Sequence, residues 1–144
     1  MGKKVVKQKK NVNPKKIPKQ ASTIISYKTL HPSWCFSRSD DSSERWSIMQ
    51  ITKNELLELK NRLSSYERMT WAEIEGDENH FIPIGSMIKD AQDRAYDIKI
   101  YQDSLFSLRI SGRKRLFGFI QEGVFFIIWY DRNHEVCISH KKHT

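Results

Sequence analysis

The sequence predicts an α+β fold, with two helices packed on an antiparallel sheet in the order β-α-α-β-β-β. Three observations carry this expectation. Residues 105–130 hold three strand-like runs joined by two tight turns. Thr52 opens a helix with a capping box, and residues 84–98 repeat apolar side chains at helical spacing.

Taken in order, residues 1–20 are polar, rich in lysine and broken by Pro14 and Pro18. That is the composition of a disordered basic tail, and it leaves residues 21–144 as a single domain. Ser33 to Ser37 reads as a short extended segment and Arg38 to Arg45 as a polar loop. The aromatic and β-branched content of Trp46 to Ile51 predicts the first strand. In Thr52-Lys53-Asn54-Glu55 the hydroxyl can accept from the third helical amide while the carboxylate reaches back. The helix should run to about Tyr66, with Leu56, Leu59, Leu63 and Tyr66 as its apolar face. Trp71 to Phe81 reads as a loop. A second helix should span roughly Gly85 to Asp97, burying Ile84, Ile88, Ala91, Ala95 and Ile98.

The sheet follows. Phe106, Leu108 and Ile110 alternate with Ser107, Arg109 and Ser111, which gives one core face and one polar face. Ser111, Gly112 and Arg113 make a hairpin turn into Lys114–Gln121, and Glu122-Gly123 makes the next. Val124 to Tyr130 is apolar throughout, as in a central strand covered on both faces. Asp131 to His134 is a turn, and Val136 to Ser139 a further short strand.

Charge is uneven. Eight lysines and no acids lie in residues 1–20; removing those eight from the 25 cations leaves 17, against 17 acids. The body is therefore formally neutral, and the net charge of +8 belongs to the tail, a source of salt-sensitive attraction to RNA or simply a solvated leader. No apolar run approaches the roughly 20 residues that span a bilayer. Neither a signal peptide nor a disulfide framework is expected from a leader without an apolar stretch and from two cysteines, Cys35 and Cys137. A cytoplasmic protein with free thiols, away from membranes, is the expectation.

The chemistry-bearing residues gather near the end. His134 is the candidate for proton transfer, because imidazole titrates near neutrality and a buried strand precedes it. Asp131, in the same turn, can orient it; the ordinary alternative is that both only shape the turn. Arg113 and Arg115 are two residues apart and share a face, so they can grip one phosphate while Lys114 points away. Arg109 can join them across the hairpin. The same cations also suit a solvated turn or an acidic protein partner. His80 and Glu73 are candidates for a second acid or base, against ordinary loop polarity. Phe117 and Phe119 share a face with Arg115, and they can stack on bases if the helices cover the Leu116 face. Otherwise they fill the core. Five histidines and two distant cysteines show no zinc spacing, and no Gly-rich phosphate loop is present, so neither metal nor cofactor is expected.

The element order and the run Arg113-Lys114-Arg115-Leu116, followed by the apolar strand Val124 to Tyr130 and the turn Asp131 to His134, resemble the RelE/YoeB/HigB superfamily of toxin ribonucleases. The resemblance covers about residues 46–139. It departs in the longer second helix and preceding loop, in the long polar leader and in the residues after His134. It implies a metal-independent endoribonuclease of a toxin–antitoxin or phage-defence pair. RNA, including ribosome-bound mRNA, would be the substrate, and an acidic antitoxin the protein partner. His134, Arg113, Arg115 and Asp131 would then be catalytic, with Arg109, Lys114, Phe117 and Phe119 binding RNA. The superfamily also has members that do not cleave RNA, so a non-catalytic RNA- or protein-binding module stands as the alternative. RNA cleavage through its own 2′-hydroxyl needs a base, cations at the phosphate and an acid at the leaving oxygen.

Overall fold

A computed structural model of the chain describes residues 27–138. The lysine-rich segment 1–20 lies outside the described residues, as do Ser139, His140 and His143. Eight elements follow in order: β1 (Ser33–Cys35), α1 (Lys53–Tyr66), α2 (Trp71–Ile74), β2 (His80–Pro83), α3 (Lys89–Asp97), β3 (Ser104–Ser111), β4 (Lys114–Gln121) and β5 (Val124–Asp131). The five strands form one mixed sheet in the order β1-β5-β4-β3-β2. β2 to β5 pair antiparallel, and β1 pairs parallel with β5.

The two hairpins have simple local causes. Gly112 (φ 50°) turns β3 into β4; Glu122 (φ 51°) and Gly123 (φ 86°) take the left-handed pair that matches strand twist. α1 begins with the expected capping box. Thr52 Oγ1 accepts from the Glu55 amide at 3.2 Å, and the Glu55 carboxylate accepts from the Thr52 amide at 3.0 Å. Leu59, Leu63 and Tyr66 are buried, but Leu56 faces solvent and Glu55 takes an inward place.

α1 and α2 cover one face of the sheet. Leu59, Leu63, Tyr66, Trp71 and Ile74 meet Phe106, Leu108, Ile110, Leu116, Phe125 and Ile127 there. α3 covers the other face, with Ala91 and Ala95 against Leu105, Phe117, Phe119, Ile128 and Trp129. β5 needs cover on both sides because it is apolar on both sides. A bulge opposite Phe117 and Gly118 inserts one extra β5 residue, so Ile128 and Trp129 both turn toward α3.

Several expectations change. The sheet is mixed, and three helices are divided between its faces, where two helices on an antiparallel sheet were expected. Trp46 to Ile51 is not a strand. Trp46 offers β5 one bond, from Tyr130 N at 2.8 Å. Ser47 Oγ then accepts from the Met49 amide at 3.0 Å and turns the chain into a 3-10 helix, Ile48–Gln50. The short extended segment is instead the paired strand β1. Trp71 to Phe81, read as loop, contains α2 and the start of β2; α2 opens with a second capping box, Thr70 with Glu73. α3 starts at Lys89, after a 3-10 turn at Ile84–Ser86. Among the described residues of 136–138 there is no strand.

Candidate functional site

A cleft of about 780 Å³ opens on the α3 side of the sheet, at the end where β3 turns into β4. This size lies within the roughly 300–1,000 Å³ typical of ligand clefts. Arg113, Arg115, His134, His80, Asp77, Glu78 and Ser107 line it, together with Ile82, Cys137 and Ile138.

His134 sits on a loop held at several points. The carboxylate of Asp131, 1% exposed, accepts the amides of Glu135 and Val136, both at 2.9 Å. Val136 is buried and its carbonyl accepts from Ile88 N at 2.9 Å, tying the loop to the start of α3. Arg132 reaches back to Glu55 at the start of α1, at 2.6 Å. Arg45 bridges Glu135 and Asp90. These bonds hold His134 in the left-handed region (φ 61°), which few side chains other than Asn, Asp and His adopt readily.

Of the two readings of Asp131, the turn-shaping one matches its hydrogen bonds. Both of its oxygens are committed to backbone amides, and it makes no bond to the His134 ring. It is a positioning residue for the loop. Burial pushes its carboxyl above the ordinary value, against the opposing effect of the two amides. His134 is pushed below its ordinary value, first by burial and next by the Arg115 guanidinium, with Asp131 opposing. A neutral imidazole near pH 7 is the form that accepts a proton.

The basic run divides between two faces. Arg115 lies in register between Arg109 on β3 and Asp131 on β5, and its side chain reaches the cleft. Its Nη1 donates to the carbonyls of Gly112 at 2.7 Å and Lys114 at 3.2 Å, which fixes the guanidinium. Arg113, at the turn, is exposed. Lys114 points to the other face, as expected, and pairs with Glu58 of α1 at 2.7 Å. Arg109 pairs with Glu78 at 3.0 Å. Among the described residues neither Arg113 nor Arg115 has a carboxylate partner within ion-pair distance. Of the four cations Arg109, Arg113, Lys114 and Arg115, the two without a carboxylate partner are thus the two that line the cleft.

Phe117 and Phe119 occupy the core, 2% and 4% exposed. The helices α1 and α2 do cover the Leu116 face, but α3 covers the face of Phe117 and Phe119 too, so neither ring is open to a base. Phe119 stacks on Phe126 at 5.0 Å, and the Arg38 guanidinium lies over it at 5.4 Å. Glu73 is committed to the α2 capping box.

His80 reaches the cleft from β2, which sequence reasoning missed as a strand. Four residues ending in proline carry little strand signal, although a sheet edge tolerates such a sequence. The α2 capping box was legible, since Thr70-Trp71-Ala72-Glu73 repeats the Thr52 pattern. Among the described residues no three His, Cys, Asp or Glu side chains group as metal ligands, and no helix is long and apolar enough to cross a membrane. An imidazole and two guanidiniums around one cleft can hold a phosphodiester and accept a proton from a hydroxyl beside it. No family model, no curated protein and no solved structure matches this chain.

Proposed function

We propose that this protein is a RelE-like toxin endoribonuclease that cleaves RNA by acid/base chemistry. One observation carries the reading: His134, Arg113 and Arg115 share one cleft, where neither guanidinium has a carboxylate partner. His134 removes the proton of the 2′-hydroxyl. The 2′ oxygen attacks phosphorus, and Arg113 and Arg115 stabilise the charge that builds on the phosphate oxygens. The products are a 2′,3′-cyclic phosphate and a free 5′-hydroxyl. The substrate is mRNA, free or on the ribosome, in the cytoplasm. An acidic antitoxin segment would neutralise the protein by covering the same two arginines.

The test is inducible bacterial expression of wild type beside His134→Ala, with mapping of new RNA 5′ ends. Growth arrest with new ends that disappear in the variant supports the reading. Healthy cells with soluble wild-type protein and unchanged RNA overturn it in favour of a non-catalytic binding module, whose RNA affinity would fall with salt.

A further inference from the structure

We propose that His80 is the second proton-transfer residue of this cleft, the acid that protonates the 5′ oxygen as it leaves. The inference rests on reading the cleft as a ribonuclease site. Strand alternation places the side chain. Ile82 packs with the α3-side core, whereas Phe81 packs edge-to-face on Phe106 of the opposite core, with ring centroids 4.9 Å apart. His80, two residues from Ile82, therefore stands on the α3 side, where it lines the cleft. It is in register with Ser107, another cleft residue.

Sheet order supplies the second argument. Along β5-β4-β3-β2, His134 follows β5, Arg115 lies on β4, Ser107 on β3 and His80 on β2. The two imidazoles thus come from opposite sides of the arginine. In an in-line displacement the attacking and leaving oxygens lie on opposite sides of phosphorus. Base and acid must then approach from opposite sides, with the cations between them.

The third argument is availability. Among the described residues the one hydrogen bond of the His80 ring is a 3.4 Å contact with the Phe81 carbonyl, and the ring has no carboxylate partner within ion-pair distance. Three neighbouring carboxylates are committed: Glu73 to a helix cap, Asp131 to two amides, Glu78 to Arg109. The charged groups that share the cleft with His80 are Asp77 and Glu78 from the preceding turn, Arg113 and Arg115 from the hairpin and β4, and His134.

The step balances. The 2′ oxygen gives its proton to His134 and forms the new P–O bond. The bond from phosphorus to the 5′ oxygen breaks, and that oxygen takes the proton of His80. Exchange with water then restores both rings.

The experiment uses the full chain and RNA carrying a mapped cleavage site, alone and programmed into ribosomes. Two forms are compared, natural RNA and RNA with sulfur in place of the scissile 5′ oxygen, a leaving group that needs no proton. His80→Ala and His80→Gln should lose about 10²- to 10⁴-fold on natural RNA and recover most of that loss on the thio substrate. His134→Ala should lose activity on both. His80 variants that cut natural RNA at the wild-type rate, or that lose equally on both substrates, would overturn the assignment while leaving the nuclease reading intact. A wild-type protein that cuts neither substrate would remove the nuclease reading, and this inference with it.

Discussion

Glu55→Gln tests whether the start of α1 and the His134 loop are joined by charge. Glu55 caps its own helix and pairs with Arg132, two residues before His134, through bonds of 2.6 and 2.7 Å. The Arg132 guanidinium, outweighing burial and helped by the Thr52 amide, holds the carboxyl down from 4.5 to about 2. At about 1.4 kcal/mol per pH unit, a depression of this size is worth about 3 kcal/mol. Arg132 is one-third exposed, so solvent screening brings the expectation to about 2 kcal/mol. Glutamine keeps the capping geometry and removes the charge. The sign follows from the depression. Stability is present above the unfolded value near 4.5 and is lost as pH falls toward 2. The gap between wild type and Glu55→Gln should therefore be full at pH 7 and shrink steadily between pH 4.5 and 2. Urea denaturation across that range measures it. A variant as stable as wild type at pH 7, or a gap that does not change with pH, would refute the reasoning.

Three further expectations follow from other parts of the fold. Asp40, with a side chain 1% exposed, accepts from Arg94 at 2.6 and 2.7 Å and from Trp129 Nε1 at 2.9 Å. Asp40→Ala should cost about 3–5 kcal/mol in urea denaturation, and a loss under 1 kcal/mol would contradict the role of this buried pair. Gly118→Ala should destabilise by several kcal/mol, roughly the upper range for overpacking, because a Cβ there runs into the Phe126 carbonyl oxygen and the Phe125 ring. A thermal midpoint within about 2 °C of wild type would rule that out. For His134, burial and then Arg115 set the ring below 6.5, so the unprotonated base persists to lower pH and the acid limb of cleavage should lie below 6.5. Arg115→Met should move the His134 titration upward when followed by NMR of the ring; a downward move or none would show that the two groups do not interact.

Much of the local structure was legible because its causes lie within a few residues. The α1 cap, the Gly112 turn and the Glu122-Gly123 turn each follow from one or two side chains. The division of Arg113-Lys114-Arg115 also followed from alternation: Lys114 meets Glu58 while Arg115 faces the cleft. Trp46 to Ile51 was misread because strand composition there is overruled by the Ser47 side chain bonding its own backbone. Phe117 and Phe119 are expected beside the arginines if the helices cover the Leu116 face, and α1 and α2 do cover it. α3 closes the opposite face as well, and an amphipathic stripe does not state which sheet face it will cover.

The sequence by itself determined the two hairpin turns, the start of α1 at Thr52 and the burial of β5, because those signals are local propensities and periodicities. Only the tertiary structure decided that β1 runs parallel to β5, that α3 crosses to the other face, and that Asp131 spends its carboxylate on amides. It also decided that Arg109 is neutralised by Glu78, 31 residues away, while Arg113 and Arg115 stay uncompensated, and that His80 and His134 share one cleft. The physical reason is that a charge's partner, and the face a side chain meets, are set by packing between segments far apart in the chain, and no residue type or spacing encodes that on its own.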